Sequence, residues 1–393
     1  MDLVYPPHAH IALVANTAWS VFNFRLGLLI ALRERGYEIS VIAPKDEYSE
    51  RIMAAGFQYY EVYIDNQGKN PLNDIRTLRQ LSALYARLRP DFVIHYTIKP
   101  NVYGSWAARW NGVPSLAVTT GLGHLFLEHN YATSIAKFLY RQALHHTAQV
   151  WFLNNDDIEI FVRERIAPRA KTHLLPSEGI NTAHFDRVLP YRKTVPFKLL
   201  FLGRLIWDKG IGEFVAAARR LRTTHPHLTF QVLGFLEVQN PNAVSTQAMN
   251  EWVREGIIEY LGVTADVRPE LEAAQCVVLP SYYREGISRV LLEAAAMQVP
   301  IITTDNVGCR EVVTHAHNGF LCRPHDANDL VDKIVKMQAM TERELLAMGE
   351  NGRAKVEREF GEASVVRHYL TFLDEFFAQN TTLPQIAIKS PTV

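Results

Sequence analysis

The run Arg284-Glu285-Gly286-Ile287-Ser288-Arg289-Val290-Leu291-Leu292-Glu293 sets two glutamates eight residues apart, the first in a glycine-containing turn and the second inside an apolar helical stretch. At a rise of ~1.5 Å per residue, a helix over that span separates the two carboxylates by roughly 12 Å. That is about the distance from a nucleotide's ribose across its diphosphate to an attached sugar. A helix start between them offers unpaired backbone N–H groups and the positive end of the helix dipole, both of which favour an anion. Carboxylates on either side can accept hydrogen bonds from sugar hydroxyls. A pair of glutamates at this spacing also arises by chance, so its neighbours decide the reading.

Upstream, Phe201-Leu202-Gly203-Arg204-Leu205-Ile206-Trp207-Asp208-Lys209-Gly210 is an apolar strand that breaks at Gly203 and offers Arg204 and Lys209 from a loop, both able to reach one diphosphate. Downstream, Pro300–Glu311 reads as a buried strand running into a turn at Gly308, and Leu175-Pro176-Ser177-Glu178-Gly179-Ile180-Asn181-Thr182-Ala183-His184-Phe185 forms a fourth segment. In this order the segments resemble the C-terminal half of the retaining glycosyltransferases of family 4, which have the GT-B fold. The likeness runs from His10 to Phe377 and carries the E-x(7)-E and G-R-x(4)-K-G patterns of that family.

Composition fits an ordinary globular chain. At 393 residues the length suits two or three domains, with 48% hydrophobic and 21% charged residues. Formal net charge is zero, so no global field draws the chain to nucleic acid. Between Arg76 and His146, however, eight Lys/Arg stand against Asp91 and Glu128, a basic excess that suits an anionic bilayer, a diphosphate-bearing substrate or a plain solvated face. Cys276, Cys309 and Cys322 make neither a C-x-x-C pair nor an even disulfide set, and read as reduced thiols. No stretch reaches the roughly 18 apolar residues that span a bilayer, and Met1–Pro7 lacks the regions of a signal peptide. The expectation is a cytoplasmic chain, at most resting on the inner face of the membrane.

Short apolar runs alternate with helical patterns, which predicts parallel sheets built from β-α-β units. Strands are expected at His10–Ala15, Ile39–Ala43, Phe92–His95, Ser115–Thr119 and Val150–Leu153, then at Lys198–Leu202, Thr229–Leu233, Ile258–Leu261, Cys276–Leu279 and Ile301–Thr303. A helix is expected over Phe24–Arg35. The class is α/β, with two doubly wound Rossmann-like domains facing a central cleft. The expected division is an acceptor-binding domain over 1–185, a linker over 186–197 marked by Pro190 and Pro196, and a nucleotide-sugar-binding domain over 198–360. A helix over 361–379 crosses back to the first domain, as the resemblance implies, and 380–393 form a loose tail.

Loops after the first-half strands hold the remaining candidates. Asn16–Arg25 follows the first strand, lacks the glycines common in the family, and ends in the Asn23-Phe24-Arg25 found in members that extend lipid-linked sugars. There Arg25, placed at a helix start, could hold a phosphate or carboxylate. Lys99 lies beside the turn at Pro100, placed for an anionic acceptor. In Thr119-Thr120-Gly121-Leu122-Gly123-His124, Gly121 and Gly123 allow close backbone approach, and His124 can donate a hydrogen bond or take a proton near neutral pH. This loop is similar to one lining the acceptor side of the cleft in these enzymes. The stretch Phe126–Val150, with Lys137, Arg141, His145 and His146 among apolar residues, either lies on a bilayer or packs on its sheet.

Several absences narrow the chemistry. No D-x-D triplet occurs, so no metal site is expected and no cofactor is called for. The histidine pairs His8/His10, His225/His227 and His315/His317 fit no zinc spacing. A dinucleotide fingerprint needs a third glycine that Gly121-Leu-Gly123 and Gly210-Ile-Gly212 lack, and no P-loop is present. By resemblance, then, the chain is a hexosyltransferase that moves a sugar from a nucleoside diphosphate sugar, a UDP-sugar foremost, to a lipid-linked saccharide with retention of anomeric configuration. Arg204 and Lys209 bind the diphosphate with Gly203 and the N–H groups of Gly286, Ile287 and Ser288; Glu285 holds sugar hydroxyls and Glu293 the ribose. His124 joins Glu285, Arg204 and Lys209 as a catalytic candidate, and Asn23, Arg25, Lys99, Gly121 and Gly123 face the acceptor. Rival readings are a sugar-nucleotide epimerase or phosphorylase of the same architecture, or a non-catalytic partner that binds nucleotide sugar or membrane. Two departures from the family stand out: Ala294-Ala295-Ala296-Met297-Gln298 has no glycine at the helix cap, and Ser288 replaces the usual glycine or proline.

Overall fold

A computed structural model describes residues 8–66, 70–122, 131–236, 238 and 240–380, without the side chains of 131 and 132. The first sheet contains β1 (His10–Val14), β2 (Glu38–Ala43), β3 (Gln58–Glu61), β4 (Phe92–Tyr96), β5 (Ser115–Thr119), β6 (Gln149–Phe152) and β7 (Thr172–Leu174), in the order β3-β2-β1-β4-β5-β6-β7. The second contains β8 (Phe197–Leu202), β9 (Leu228–Leu233), β10 (Glu259–Gly262), β11 (Cys276–Leu279), β12 (Ile301–Thr304) and β13 (Gly319–Cys322), in the order β10-β9-β8-β11-β12-β13. The described registers are all parallel. Central strands are buried on both faces, so they read as unbroken apolar runs such as Ile11–Val14 and Cys276–Leu279.

All ten strands expected from the sequence are present. Three more, β3, β7 and β13, lie at sheet edges, where one side goes unpaired and short, mixed sequences such as QYYE and THL carry little apolar signal. The first helix spans Ala18–Glu34, six residues earlier than Phe24. Thr17 sets its start: the Thr17 hydroxyl accepts the N–H of Ser20 at 3.1 Å, capping the first turn. Arg25 therefore sits two turns inside the helix, and the expectation of a helix-start arginine is corrected.

The chain divides into two compact units, one formed by residues up to Leu116 with those from Ala363 onward, the other by Ala117–Glu362. In the first unit the helix Glu362–Asn380 packs Phe372, Phe376 and Phe377 around Phe92 of β4. Tyr96 donates to the Tyr369 hydroxyl at 2.8 Å, and Arg35 pairs with Asp374 at 3.0 Å. In the second unit the segment around Pro190 lies against its neighbours: Arg187 donates to the carbonyl of Glu272, and Tyr191 to that of Gln275.

Candidate active site

Strand order reverses between β8 and β11, so the loops leaving these neighbours splay apart at their carboxyl ends, where open α/β sheets take ligands. After β8 come Gly203, Arg204 and the short turn Trp207–Lys209; after β11 comes the segment that carries Glu285. The two loops are stitched together by the carbonyl of Asp208, which accepts the N–H groups of Tyr282 at 2.9 Å and Tyr283 at 2.8 Å. Gly210 must be glycine here, because its φ is +78° and a Cβ would lie 2.1 Å from the carbonyl oxygen of Pro280.

This stitching brings Lys209, only 5% exposed, onto Glu285: its ammonium donates to Glu285 Oε1 in a largely buried ion pair. Arg204 and Lys209 both face the ring of Tyr283, at 5.4 and 5.5 Å from its centroid. Two of the expected cations and the first glutamate therefore share one small region of the second unit. The backbone of Glu285 is backed by Gly308, where φ is +84° and a Cβ would stand 2.9 Å from Glu285 Cβ. On another side, a Cβ on Gly286 would meet the carbonyl oxygen of Thr120 at 2.3 Å, and one on Gly121 (φ +139°) would meet the Gly286 nitrogen at 2.7 Å.

The helix after this turn begins at Arg289 and ends at Ala296, so Glu285 lies in the turn, Glu293 inside the helix, and the helix start falls between them as expected; only the rise of ~1.5 Å per residue does not apply to 285–288, which are not helical. Ser288 caps it by position, but the Ser288 N–H donates to the Gly308 carbonyl at 2.7 Å and is committed there. Its hydroxyl is fully buried with no hydrogen-bond partner among the described residues. Glu293 accepts from Arg289 Nε at 3.0 Å, and burial pushes its carboxyl above the usual range. Arg289 also donates to the carbonyl of Gly179 at 2.6 Å, which ties in the fourth sequence segment.

Of the acceptor candidates, Gly121 lies against Gly286, and Asn23, Arg25 and Lys99 are described within their own unit. Asn23 donates to the carbonyl of Trp19 on its own helix at 2.9 Å. Arg25 is buried, donates to the carbonyl of Ser20 at 2.9 Å and lies 4.0 Å over the ring of Tyr96. Lys99 pairs with Asp74 at 2.7 Å, and Tyr103 donates to the same carboxylate at 2.8 Å, so the Lys99 charge is already matched. Gly123 and His124 fall outside the described residues. On the helix Tyr131–Leu144, Lys137 pairs with Glu164 at 3.0 Å and Arg141 donates to the carbonyls of Arg165 and Glu164; among its described side chains the large exposed apolar ones are Ile135 and Phe138.

Residues 196–339 match the model of the family described as glycosyl transferases group 1, and residues 10–154 that of the glycosyl transferase 4-like family. The chain belongs to the family 4 glycosyltransferases. This glycosyltransferase is 27% identical over 380 residues, 93% of its own length and 98% of the other, to the N,N'-diacetylbacillosaminyl-diphospho-undecaprenol alpha-1,3-N-acetylgalactosaminyltransferase of Campylobacter jejuni. It is 25% identical over 303 residues, 74% of this chain and 76% of the other, to the UDP-Gal:alpha-D-GlcNAc-diphosphoundecaprenol alpha-1,3-galactosyltransferase of Escherichia coli. Among solved structures it superposes on a glycosyltransferase from Rickettsia africae with a TM-score of 0.79 at 17% identity, covering 96% of this chain and 100% of that one. HepE from Anabaena in complex with UDP gives a TM-score of 0.74 at 16% identity, over 93% of this chain and 100% of that one. The fold is GT-B.

Sequence reasoning missed several groups around the glycosyltransferase's Glu285. Asn154 and Asp157 bind the turn from one side, Arg310 pairs with Asp156 at 2.9 Å, and Tyr283 carries the two cations. One signal was available: Asn154-Asn155-Asp156-Asp157 directly after a buried strand is dense in short polar groups that prefer helix caps. The three cysteines are buried free thiols, with burial pushing Cys309 and Cys322 up to about 12. Among the described residues no group of three or more His, Cys, Asp or Glu is gathered to hold a metal ion.

Proposed function

We infer that this glycosyltransferase moves a hexosyl unit from a UDP-sugar to a saccharide carried on a lipid diphosphate, with retention at the anomeric carbon, in the assembly of a cell-surface glycan. The observation that carries the acceptor class is likeness along nearly the whole chain to an enzyme named for an undecaprenol-diphosphate acceptor. The donor-binding reading rests on Lys209, Arg204 and Glu285 meeting at the switch point of the second sheet.

Transfer breaks the bond between the anomeric carbon and the phosphate oxygen, so positive charge grows on the sugar ring and negative charge on the diphosphate. Arg204 and Lys209 stabilise the leaving diphosphate, together with the N–H groups of Gly286 and Ile287 and the buried Ser288 hydroxyl. Glu285 holds sugar hydroxyls, and Glu293, beside Arg289, holds the ribose. The departing phosphate oxygen takes the proton of the acceptor hydroxyl on the same face. Residues 1–185, with Asn23, Arg25, Lys99, Gly121, Gly123 and His124, serve the acceptor; residues 198–360 serve the donor. No helix among the described residues is long and apolar enough to cross a membrane, and contact with the inner membrane surface goes through the exposed face of the helix Tyr131–Leu144.

The test incubates purified protein with UDP-, GDP- and ADP-sugars and lipid-linked saccharides, and follows free nucleotide, product mass and product anomer. Release of UDP with a one-sugar mass gain and retained anomer is expected. Interconversion of nucleotide sugars without transfer, or release only on adding inorganic phosphate, overturns the reading in favour of an epimerase or a phosphorylase.

A further inference from the structure

The turn that presents Glu285 is gripped from one side by two side chains at the start of the helix Asn155–Arg163. Asn154 caps that helix: its Oδ1 accepts the N–H of Asp157 at 2.8 Å. Its Nδ2 is thereby free to face outward from the helix, and donates to the carbonyl of Gly286 at 2.9 Å and to that of Glu285 at 3.4 Å. Asp157, 0% exposed, takes both Nε and Nη2 of Arg284 on Oδ1, at 3.0 and 2.8 Å. Its second oxygen accepts from Asn154 Nδ2 at 3.2 Å. Three consecutive residues, Arg284, Glu285 and Gly286, are thus tied to one capping pair, and the partner loop is tied alongside by Arg310, which donates to both oxygens of Asp156 at 3.0 and 2.9 Å.

A buried ion pair is a poor device for stability alone. Removing two charges from water costs several kcal/mol per ion, and apolar residues of the same volume often do as well. What a buried Asp–Arg pair supplies is direction, because charge-assisted hydrogen bonds fix distance and plane. The Glu285 carboxylate needs that direction: its ammonium partner Lys209 rides on a flexible stem, and a group that grips a sugar must be held within roughly 0.5 Å by its supports.

We propose that Asp157 and Asn154 are positioning residues that set the Glu285–Gly286 turn against the sugar of the donor. This rests on the reading of Glu285 as the holder of sugar hydroxyls. It follows that the pair acts mainly on affinity for the sugar end of the donor, and on the diphosphate only through the N–H of Gly286.

Affinities for UDP and for the UDP-sugar that the unaltered enzyme uses, with kcat and KM for transfer, test it. Asp157→Asn is expected to lower kcat/KM for the UDP-sugar by roughly 10- to 100-fold, the effect of a small misplacement of a reacting geometry, while the Kd for UDP, which keeps Arg204, Lys209 and Glu293, changes less than about threefold. Equal loss for UDP and UDP-sugar, or no loss for either, overturns the positioning role. Because Asp157→Asn leaves Arg284 buried and unpaired, the double variant Asp157→Asn/Arg284→Gln removes the stranded charge. It should regain thermal stability without regaining UDP-sugar affinity; recovery of both overturns the proposal. If the unaltered enzyme binds no nucleotide sugar at all, the functional reading falls first and this inference with it.

Discussion

At the scale of single residues, the ion pair of Lys209 with Glu285 ties function to stability in a way that separates the two cations. Lys209 is almost fully buried, so Lys209→Ala strands the Glu285 carboxylate in a low-dielectric site and should cost about 3 kcal/mol of folding stability as well as most turnover. Arg204 is exposed and leans on Tyr283, so Arg204→Ala should remove most turnover while the Tm stays within about 2 °C, the shift that well under 1 kcal/mol gives a chain of this size. The double variant Lys209→Met/Glu285→Gln should recover the lost stability and remain inactive. Denaturant unfolding beside nucleotide-release rates checks all three; a Tm loss in Arg204→Ala equal to that in Lys209→Ala would make both residues structural. The sequence carried these identities because charge and spacing in a loop after an apolar strand are visible one residue at a time. It could not show that Lys99 is matched by Asp74, or that Arg25 lies under Tyr96, because those partners are 25 and 71 residues away along the chain.

At the scale of elements, two loop ends make local expectations about stability. The helix Arg289–Ala296 closes with the N–H of Gln298 on the carbonyl of Ala295 at 3.0 Å and that of Val299 on Ala294 at 2.9 Å, the paired bonds of a Schellman ending. Gln298 takes the left-handed place at φ +56°, a conformation that favours glycine. Gln298→Gly should therefore stabilise the protein by up to ~1 kcal/mol in denaturant unfolding, with the same m-value and unchanged activity. The other end is that of β4, where His95 is fully buried between the Tyr85 hydroxyl at 2.9 Å and Gly104, whose missing Cβ would lie 2.5 Å from the ring. Burial lowers its pKa from 6.5 to about 3. Between those values the unfolded chain binds the proton and the folded chain does not. His95 thus contributes stability that is fully present above pH 6.5 and falls by up to ~1.4 kcal/mol per unit as the pH drops toward 3. His95→Gln should flatten that part of the profile, measured by denaturant unfolding from pH 7 to 4.5; an unchanged slope would mean the imidazole is not held neutral. Apolar runs made the central strands and the glycine-poor helix cap legible. The edge strands β3 and β7 were not, since an element paired on one side needs fewer apolar residues to persist; β13 is apolar, but it is four residues long and opens on a glycine.

At the scale of the whole molecule, the GT-B order of two parallel sheets was legible because ten apolar runs alternate with helical periods, and that pattern has few topological solutions. The proposed contact with a bilayer is a different matter, decided by which groups remain exposed once the chain has folded. Net charge is zero, and the cations Lys137 and Arg141 of the helix Tyr131–Leu144 are engaged by Glu164 and by backbone carbonyls. Each cation near an anionic surface contributes ~1 kcal/mol; Glu164 neutralises Lys137, while Arg141 keeps its charge with its donors taken up by carbonyls, so the salt-sensitive attraction left on this helix is about one cation's worth. What stays outward is Phe138 at 56% exposure and Ile135 at 45%. Burying a large apolar side chain is worth about 1.5–3 kcal/mol, so these two outweigh the cations. Sedimentation with vesicles containing anionic lipid should then show a bound fraction that falls little between 50 and 300 mM salt, roughly the range over which a cation-driven contact would be screened away. Phe138→Ser should release most of it, with thermal unfolding and UDP affinity unchanged. Steep loss with salt and indifference to Phe138→Ser would place the contact on other, basic residues; no sedimentation at any salt would remove this helix from membrane binding altogether.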